Sequence, residues 1–567
     1  MDPIWVAGAA TGAWLAPKIW RRIKLSRAKH RSLTGHPRTA VLLSRLVPQV
    51  SYDESFAFGV DGAPDEIAEK RRNAFLRIAQ SLRARAPKTL EASRSLESGV
   101  SDVAFVNAYR VPFQFRDIVR RHLEVGSIVA ETDGPRVADL DGNWAYDLGG
   151  SYGVNLFGIE VYKRCIDRAV ERARDLGPIL GAYHPVIADN VERLKKISGK
   201  DEVSFHMSGT EAVMQAVRLA RYHTGRPKAV RFAGAYHGWS DNLQAGVGNP
   251  RPVRDLFTLQ EMSERTLNLL ATRNDIACVL VNPLQAMTPN GPPSGDSTLL
   301  ASDRKASYDK AAYADWLRRL REVCTKKGIV LILDEVFLGF RLARGGVQEY
   351  FGVDADIVTY GKTLGGGLPV GVVCGKRSFM KRYKDDKPAD ICFARGTFNS
   401  HPYVMAAMNE FLRFLDEPET QATYDGLEGR WDDRAAKLNA KLEAMGAPVH
   451  LENMVSVWTT LYTKPSAYNW VFQYYLREQG LALSWIGTGR MIFSHDLTDA
   501  DFEEIGRRYL AAAAAMKDDG WWWADAELTN KSLKRRVLKE LIRAKLGRSS
   551  GRDAHPAGGE AAPHGTA

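Results

Sequence analysis

The chain has 567 residues, of which 45% are hydrophobic and 10% aromatic, so it can bury a large core and is not a largely disordered protein. Its formal net charge of +11 is concentrated at the two ends, because residues 3–52 contain nine Lys and Arg without Asp or Glu, and residues 531–548 contain eight beside a single Glu. The rest of the chain is mildly acidic, which argues against a body that binds nucleic acid and indicates two cationic appendages.

The basic leader, residues 1–50, begins with an apolar run over residues 3–16 that is followed by a dense group of Lys and Arg. A secretory signal has its charges before the apolar run, and a membrane-spanning helix needs about 20 apolar residues, so neither fits. One interpretation is an anchor at a membrane surface, with Trp5, Trp14 and Trp20 near the basic flank. It predicts a cytoplasmic protein held peripherally at the inner membrane surface. The other interpretation is a helix packed on the protein's own body or on a partner subunit.

The remaining chain divides into four predicted regions. A helical extension precedes a large α/β domain, which is followed by a smaller α+β domain and a basic C-terminal segment. Their boundaries are residues 51–125, 126–424, 425–523 and 524–567. In the last region Leu533, Val537 and Leu541 recur at i, i+4 and i+8, which predicts an amphipathic basic helix. The tail over residues 547–567 is rich in Gly, Ala and Pro and is predicted to be disordered.

Short apolar strands alternate with helical patterns in the predicted large domain. Near its start, Asp141-Gly142 predicts a tight turn between two strands. The clearest later strands are the continuous apolar runs 276–281, 329–333, 356–360 and 370–375. Because continuous apolar runs are typical of strands buried on both faces, the sequence predicts an α/β fold with a mainly parallel sheet between helices.

The five cysteines are scattered and include no CxxC pair. This pattern predicts reduced, mostly buried thiols in a cytosolic protein rather than a disulfide framework. No local cluster predicts a zinc site or any other metal site.

Two ionisable side chains follow predicted strands, where α/β sheets collect their ligands. Asp334 ends the run LILD, where a carboxylate is costly unless a cation meets it. For this residue alone, a helix cap or an ordinary ion pair is the simpler explanation. Lys362 follows the run TYG and precedes three glycines, which permit close approach to a ligand. A solvated surface lysine would not explain these glycines.

Two further motifs predict ligand contacts. The Ser-Gly-Thr segment 208–210 lies where a helix begins, and such an N-terminus binds phosphate readily, although an ordinary capping box with Glu211 is the alternative. Tyr236 and His237 follow a short strand. An aromatic ring there either covers a planar ligand or packs in the core beside a turn.

The order of these motifs is more specific than any one of them. Pyridoxal phosphate (PLP) needs a lysine amine for its Schiff base, an acid that keeps the pyridine nitrogen protonated, and donors for its phosphate. The 28 residues from Asp334 to Lys362 are enough for a crossover helix and the next strand. The sequence therefore predicts PLP as the cofactor.

Residues from about 126 to 515 resemble the class III (fold-type I) PLP-dependent aminotransferases, most closely the glutamate-1-semialdehyde 2,1-aminomutase branch. The matching blocks, in order, are MSGTEAVMQAVRLAR, AYHGW, LDEVFLGFR and YGKTLGGGLPVG. The resemblance implies a fold-type I domain with a seven-stranded sheet, and a homodimer with shared active sites.

The resemblance also implies residue roles. Lys362 carries the cofactor and moves protons, Asp334 pairs with the pyridine nitrogen, and Tyr236 stacks over the ring, so these three form the predicted catalytic set. Thr397 is similar to the threonine that reaches the phosphate from the neighbouring subunit. The remaining implied cofactor contacts are Ser208, Gly209, Thr210, His237 and Val336.

The substrate motifs depart from the aminomutase branch. Neither Arg110 nor Arg116 aligns with the substrate arginine of that branch, and Gly487 falls where it has a gating glutamate. Arg490 stands where class III aminotransferases often bind a substrate carboxylate, which suits its bidentate guanidinium, although a surface ion pair would also explain it. The predicted substrate residues are Tyr152, Gln285 and Arg490.

These observations predict an aminotransferase that moves an amino group from an amino-acid donor to an aldehyde or ketone. An aminomutase that moves the amino group within one molecule is the alternative, because it shares every cofactor residue. A non-catalytic scaffold or membrane-associated binding protein on the same fold is the third possibility.

Overall fold

The continuous apolar runs form a seven-stranded sheet at the centre of the protein, in a computed structural model that describes residues 16–292, 297–306, 308–484 and 487–550. Its strands are β4 Glu202–His206, β5 Lys228–Phe232, β6 Leu256–Leu259, β7 Ile276–Val281, β8 Val330–Asp334, β9 Ile357–Gly361 and β10 Gly371–Gly375. Their spatial order is β4-β10-β9-β8-β7-β5-β6.

Helices cover this sheet, and the middle strands are buried along their whole length. This is why β7 to β9 read as unbroken apolar runs rather than alternating patterns. The helices of this region are α7 Ile159–Ala173, α8 Ile187–Ser198, α9 Gly209–Thr224, α10 Glu264–Thr272, α11 Lys310–Lys327, α12 Gly346–Phe351, α13 Arg377–Met380, α14 Pro402–Phe414 and α15 Pro418–Thr423.

The expected mainly parallel sheet is confirmed, with one difference in direction. The strand predicted over 370–375 is β10, and it runs antiparallel to both β9 and β4. Only a 3-10 turn and a few further residues separate β9 from β10, which is too short a connection for the crossover that a parallel strand needs. Between β8 and β9, which are parallel, the chain does contain a crossover helix, α12.

A smaller layer is built from residues after α15. It contains α16 Leu427–Ala444, β13 Val449–Met454, β14 Val457–Tyr462, α17 Phe472–Glu478, β15 Leu481–Ala482, β16 Met491–Ile492 and α18 Asp499–Asp518. Strands β13, β14 and β16 form one sheet, whereas β15 joins β1 Glu131–Asp133, β2 Arg136–Ala138 and β3 Trp144–Asp147 in another. Before α14, β11 Tyr383–Lys384 and β12 Lys387–Ile391 form a separate two-stranded sheet. The turn predicted at Asp141-Gly142 does connect the antiparallel strands β2 and β3, with Gly142 at φ +80°.

Residues 51–125 are mainly helical and pack on the C-terminal part of the chain. The helices are α3 Asp65–Arg85, α4 Pro87–Glu97, α5 Ser101–Tyr109 and α6 Arg116–His122. The Arg71 guanidinium forms a fully buried ion pair with Asp61 at 2.8 Å, and its Nε donates to the carbonyl of Gly520. The predicted domain boundaries remain predictions.

The two basic ends contain helices. Residues 16–27 form a helix, α1, and Pro37–Leu46 form α2, while α19 spans Asn530–Ser550 and buries Leu533 against the body. The predictions for Trp5, Trp14 and the tail beyond residue 550 fall outside the described residues. Within the described ranges, no helix is both long and apolar enough to cross a membrane. All five cysteines are buried as free thiols.

Candidate active site

The candidate site lies at the carboxyl ends of β8 and β9. Asp334 is the last residue of β8 and pairs in register with Thr359 on β9, and Lys362 follows β9 directly. Because parallel strands end at the same edge of a sheet, this connectivity brings Asp334 and Lys362 together. Lys362 has φ +49°, an uncommon backbone conformation for a residue with a side chain.

Three donors hold the buried Asp334 carboxylate. The Nδ1 atom of His237 lies 2.7 Å from Oδ2, while the Thr359 hydroxyl donates to Oδ1 at 3.2 Å and the Val336 N–H donates to the same oxygen at 3.3 Å. His237 is buried as well, and its Nε2 has no hydrogen-bond partner among the described residues. The sequence predicted His237 as a cofactor contact, and the structure places it directly against the carboxylate.

The amine of Lys362 is partly withdrawn from water. Its Nζ donates to the backbone carbonyl of Tyr152 at 2.7 Å and lies 4.7 Å from the centre of the Phe337 ring. Burial and the positive charge of Arg341 together lower the Lys362 pKa to about 8, although the Asp334 carboxylate opposes this shift. More of this amine is therefore neutral near physiological pH than of an ordinary lysine, and the neutral form is the one that acts as a nucleophile or proton acceptor.

The segment 208–210 shows the helix cap that was one of the two predicted alternatives. Ser208 caps α9, since its Oγ accepts from the Glu211 N–H at 3.2 Å, and the Glu211 carboxylate accepts from the Met207 N–H at 3.0 Å. The N–H groups of Gly209 and Thr210 are the first two of the helix and have no acceptor within it. Capping and anion binding are thus compatible, because these N–H groups carry the positive end of the helix dipole.

Glycines around α9 leave no room for a side chain. A Cβ atom at Gly209 would lie 2.6 Å from Cγ1 of Val336, and one at Gly238 would lie 2.5 Å from Oγ1 of Thr210. At Gly371 it would lie 1.9 Å from the Ser208 carbonyl oxygen. The backbone around the helix start is therefore packed directly against Val336 and Thr210.

Tyr236 is 54% exposed, so the alternative of an aromatic packed in the core is wrong for this residue. Its backbone carbonyl accepts from Nδ2 of Asn282 at 2.9 Å, which fixes the loop. Burial of part of the side chain and the negative charge of Asp334 raise the Tyr236 pKa, so the ring lies within electrostatic reach of that carboxylate.

The predicted substrate residues have different surroundings. Tyr152 is exposed, and its backbone has a left-handed conformation with φ +56°. Gln285 is buried, and its Nε2 donates to the Gly234 carbonyl at 2.8 Å. Only its Oε1 lacks a partner among the described residues. Arg490 lies close enough to Lys362 for its charge to lower the lysine pKa, and no described carboxylate pairs with it. Thr397 is exposed on a loop that carries the exposed rings of Phe393 and Phe398.

The sequence did not single out Arg477, and it left Arg110 unassigned. Arg110 is buried, and burial lowers its pKa while the neighbouring Tyr152 opposes this. Burial also lowers the pKa of Arg477 to about 9, with a further contribution from the charge of Arg110. Both Nε atoms lack partners, and neither guanidinium pairs with a carboxylate in the described part of the chain. No local motif marks these arginines, since they lie 367 residues apart and meet only in the fold.

The chain is similar to proteins of known family. A family model described as aminotransferase class-III matches residues 119–289 and 306–505. The glutamate-1-semialdehyde 2,1-aminomutase of Nitratidesulfovibrio vulgaris (strain DP4) is 36% identical over 303 residues, which are 53% of this chain and 68% of that protein. The aminomutase of Citrifermentans bemidjiense is 32% identical over 382 residues, covering 64% of this chain and 83% of its own length.

Solved structures share the fold. One described as a transaminase with PLP bound is 26% identical, with a TM-score of 0.58 over 70% of this chain and 93% of its own. A glutamate-1-semialdehyde aminomutase from Pseudomonas aeruginosa PAO1 is 18% identical, with a TM-score of 0.63 over 79% of this chain and 99% of its own. The predicted fold-type I architecture is confirmed.

Proposed function

Because the chain belongs to the class III aminotransferases, whose cofactor is PLP, we propose that Lys362 carries this cofactor in the transfer of an amino group from an amino acid to an aldehyde or ketone. The observation that carries the proposal is that the Lys362 amine, whose pKa is lowered, lies within electrostatic reach of an Asp334 carboxylate held by three donors. A structural lysine would need neither a lowered pKa nor a fixed carboxylate beside it. The family membership makes the chain an enzyme rather than a scaffold.

The residues at the ends of β8, β9 and α9 fit PLP. The free N–H groups at the start of α9 suit its phosphate, and the missing side chains of Gly209 and Gly238 bring backbone up to Val336 and Thr210. Asp334 suits a protonated pyridine nitrogen, and the half-exposed Tyr236 suits a planar ring.

When bound, PLP supplies an electron sink that makes a proton on the substrate's α-carbon removable. The Lys362 Nζ would accept that proton and donate it back, a role that suits an amine whose pKa is lowered toward neutrality. The Tyr152 carbonyl orients the amine before reaction, since it accepts from Nζ. His237 and Thr359 prevent the Asp334 carboxylate from turning away, so its negative charge stays in place throughout.

We further propose that the donor is an amino acid whose carboxylate is bound by arginine. Arg110, Arg477 and Arg490 all lack carboxylate partners within the described residues, and burial lowers the pKa of each. A buried guanidinium without an anion is costly, and a substrate carboxylate would remove that cost through bidentate hydrogen bonds. Arg110 lies beside Tyr152, whose carbonyl contacts Lys362, which connects this group to the reacting amine.

The second candidate is glutamate-1-semialdehyde 2,1-aminomutase activity, which the relatives from N. vulgaris and C. bemidjiense favour by name. Against it, Gly487 stands where the resemblance places the gating glutamate of that branch. Purified holoenzyme given glutamate 1-semialdehyde without any amino donor decides between the two. An aminomutase forms 5-aminolevulinate from this substrate alone, whereas the proposed transaminase forms product only when donor and acceptor are both present.

The main proposal is tested by screening amino acids against the holoenzyme and following the cofactor absorbance. A reactive donor should convert the cofactor to its amino form, and an added acceptor should restore the original spectrum. The Lys362→Ala variant should lose turnover and the spectrum of the lysine-bound cofactor. Full activity in Lys362→Ala would exclude the proposed role of this lysine.

We also propose a homodimer in which Thr397 reaches the phosphate of the neighbouring subunit. Ile391, Phe393 and Phe398 are exposed near Thr397 in sequence, and large apolar side chains grouped on a surface are typical of a subunit interface. Phe393→Asp should shift the protein toward monomer in analytical ultracentrifugation and weaken cofactor retention together. A dimer that is unchanged by this substitution would place the interface elsewhere.

A further inference from the structure

A basic cavity lies between the N-terminal segment and the loop that connects β5 to β6. Its volume is 530 Å³. The charged and titratable side chains that line it are Lys29, His36, Arg38, Arg45, Arg251 and Arg254. Among the described lining residues none is acidic, so the cavity is positive throughout.

The N-terminal wall of this cavity is anchored to the body. Ala28 is fully buried, and its carbonyl accepts from the Gln260 N–H at 2.8 Å. The Thr34 hydroxyl donates to the Asn290 carbonyl at 2.9 Å. These bonds fix both sides of the turn between α1 and α2, so Lys29 and Arg38 face the body loop in a defined arrangement.

The positive charges in the cavity are largely uncompensated. Arg251 approaches Asp241 at 3.6 Å, but Lys29, Arg38, Arg45 and Arg254 have no carboxylate partner within the described ranges. Burial and the adjacent charge of Arg38 lower the Lys29 pKa, which shows that like charges are held close together. Such an arrangement becomes favourable when an anion occupies it, and arginine and lysine suit phosphate in particular.

The two helices that border the cavity also expose large apolar side chains. Exposed residues on α1 and α2 include Ile19, Trp20, Ile23, Leu42, Leu43 and Leu46. Lys24 lies over the Trp20 ring, 5.4 Å from its centre. Basic residues interspersed with exposed Trp, Ile and Leu are typical of helices that lie in a membrane interface.

Charge distinguishes a bilayer from the other occupants of such a surface. Residues 16–47 contain nine Lys and Arg and no Asp or Glu, so a second copy presenting the same face would meet strong repulsion. Nucleic acid would satisfy the charges but would leave the exposed Ile and Leu side chains in water. An anionic bilayer satisfies both, because its headgroups meet the charges and its acyl boundary accepts the apolar side chains.

We propose that α1, α2 and the basic cavity between them and the β5–β6 loop dock on an anionic phospholipid bilayer, with phosphate headgroups in the cavity. Docking involves none of the residues assigned to amino transfer, so it does not depend on the proposed function.

The test uses full-length, PLP-loaded protein and sedimentation with phosphatidylglycerol or phosphatidylcholine vesicles. The protein should bind the anionic phosphatidylglycerol vesicles. Its affinity for them should fall strongly in about 0.5 M salt, because salt screens exposed charges. The variant Arg38→Gln/Arg45→Gln/Arg254→Gln removes three exposed charges and should weaken binding at least about tenfold. The matched control Lys196→Gln/Lys437→Gln/Lys441→Gln removes three exposed charges elsewhere and should bind like the parent.

Two further measurements distinguish a bilayer from a second copy of the chain or a nucleic acid as the partner of this surface. Trp20→Ala should also weaken vesicle binding, because the exposed ring enters the interface. Sedimentation velocity should show the same oligomer for the parent and the arginine variant. The proposal is overturned if anionic vesicles are not bound, if both triple variants weaken binding equally, if Trp20→Ala has no effect, or if the arginine variant dissociates the oligomer. Donor-dependent cofactor conversion in vesicle-free solution should be equal in all variants, which separates a failure here from a failure of the proposed enzyme activity.

Discussion

The Nδ1 atom of His237 lies 2.7 Å from Oδ2 of Asp334, and both side chains are buried. This contact joins the loop after β5 to the end of β8, across 97 residues of sequence. Thr359 and the Val336 N–H occupy the other carboxylate oxygen, so both oxygens have a fixed donor. His237 is therefore a positioning residue that determines where the negative charge of Asp334 points.

Replacing His237 with Ala should lower the PLP affinity of the apoenzyme by about one to two orders of magnitude, or roughly 1–3 kcal/mol, because a buried carboxylate loses a hydrogen bond. Equilibrium titration followed by absorbance measures this. His237→Asn retains a donor near the position of Nδ1 and should keep most of the affinity. If the His237→Asn variant binds PLP as weakly as the His237→Ala variant, the imidazole acts by filling space rather than by orienting Asp334.

Lys362 should react with acetic anhydride in the apoenzyme at a rate that is half-maximal near pH 8. Only the neutral amine reacts, and burial together with Arg341 lowers the pKa, so the reactive form appears at lower pH than in a reference peptide, where lysine titrates near about 10.4. Mass spectrometry of the Lys362 peptide gives the rate. Because Asp334 raises this pKa, Asp334→Asn should move the midpoint further down. An upward shift in that variant would contradict the described electrostatics.

Gly209→Ala should destabilise the protein by about 1–3 kcal/mol and weaken PLP binding, because its Cβ would lie 2.6 Å from Cγ1 of Val336. Thermal unfolding and cofactor titration measure the two effects. Adding Val336→Ala to Gly209→Ala should recover part of the lost stability, since it removes the clashing methyl groups.

The control for this substitution is Gly429→Ala within α16, where nothing lies within 4 Å of the new Cβ. It should be neutral or slightly stabilising, since alanine favours helix more than glycine does. Equal losses of stability in Gly209→Ala and Gly429→Ala would mean that close packing against Val336 does not cause the destabilisation.

Arg71→Met should destabilise the fold by about 3–5 kcal/mol, because it leaves the fully buried Asp61 carboxylate without its ion pair. Denaturant unfolding measures this difference. The double variant Arg71→Met/Asp61→Leu should lose less free energy of unfolding than Arg71→Met alone. Arg120→Met breaks the exposed pair with Asp117 and should cost less than about 1 kcal/mol. A double variant less stable than the single one would show that the unpaired Asp61 carboxylate is not the main cost of losing Arg71.

Much of the fold followed from local patterns. The apolar run over 329–333 became β8, displaced by one residue to Val330–Asp334, because the backbone of Asp334 still pairs with Thr359. The direction of β10 was not predictable from its own apolar run, since strand direction depends on the length of the connection before it. The cofactor motifs were found because each is compact and lies at a strand end or a helix start.

Sequence patterns could not predict a role for two of the arginines of the candidate site. No sequence motif marks Arg110 or Arg477. They become candidates for substrate binding only because both have a buried Nε and no carboxylate partner among the residues that the structure describes. Gln285, by contrast, is a predicted substrate residue that the structure places against the Gly234 carbonyl, where it supports a loop. Its role toward substrate stays a prediction.

The sequence by itself determined the family, the α/β fold, the cofactor and the candidate lysine at position 362, because these depend on short contiguous motifs and on buried strands that read as apolar runs. Only the tertiary structure decided that His237 and Thr359 hold Asp334, that Lys362 has a lowered pKa, and that Lys29, Arg38 and Arg45 line a cavity against the β5–β6 loop. These properties arise from burial and from contacts between distant segments. Neither is encoded in the spacing of residues along the chain, because desolvation and charge proximity exist only once the chain has folded.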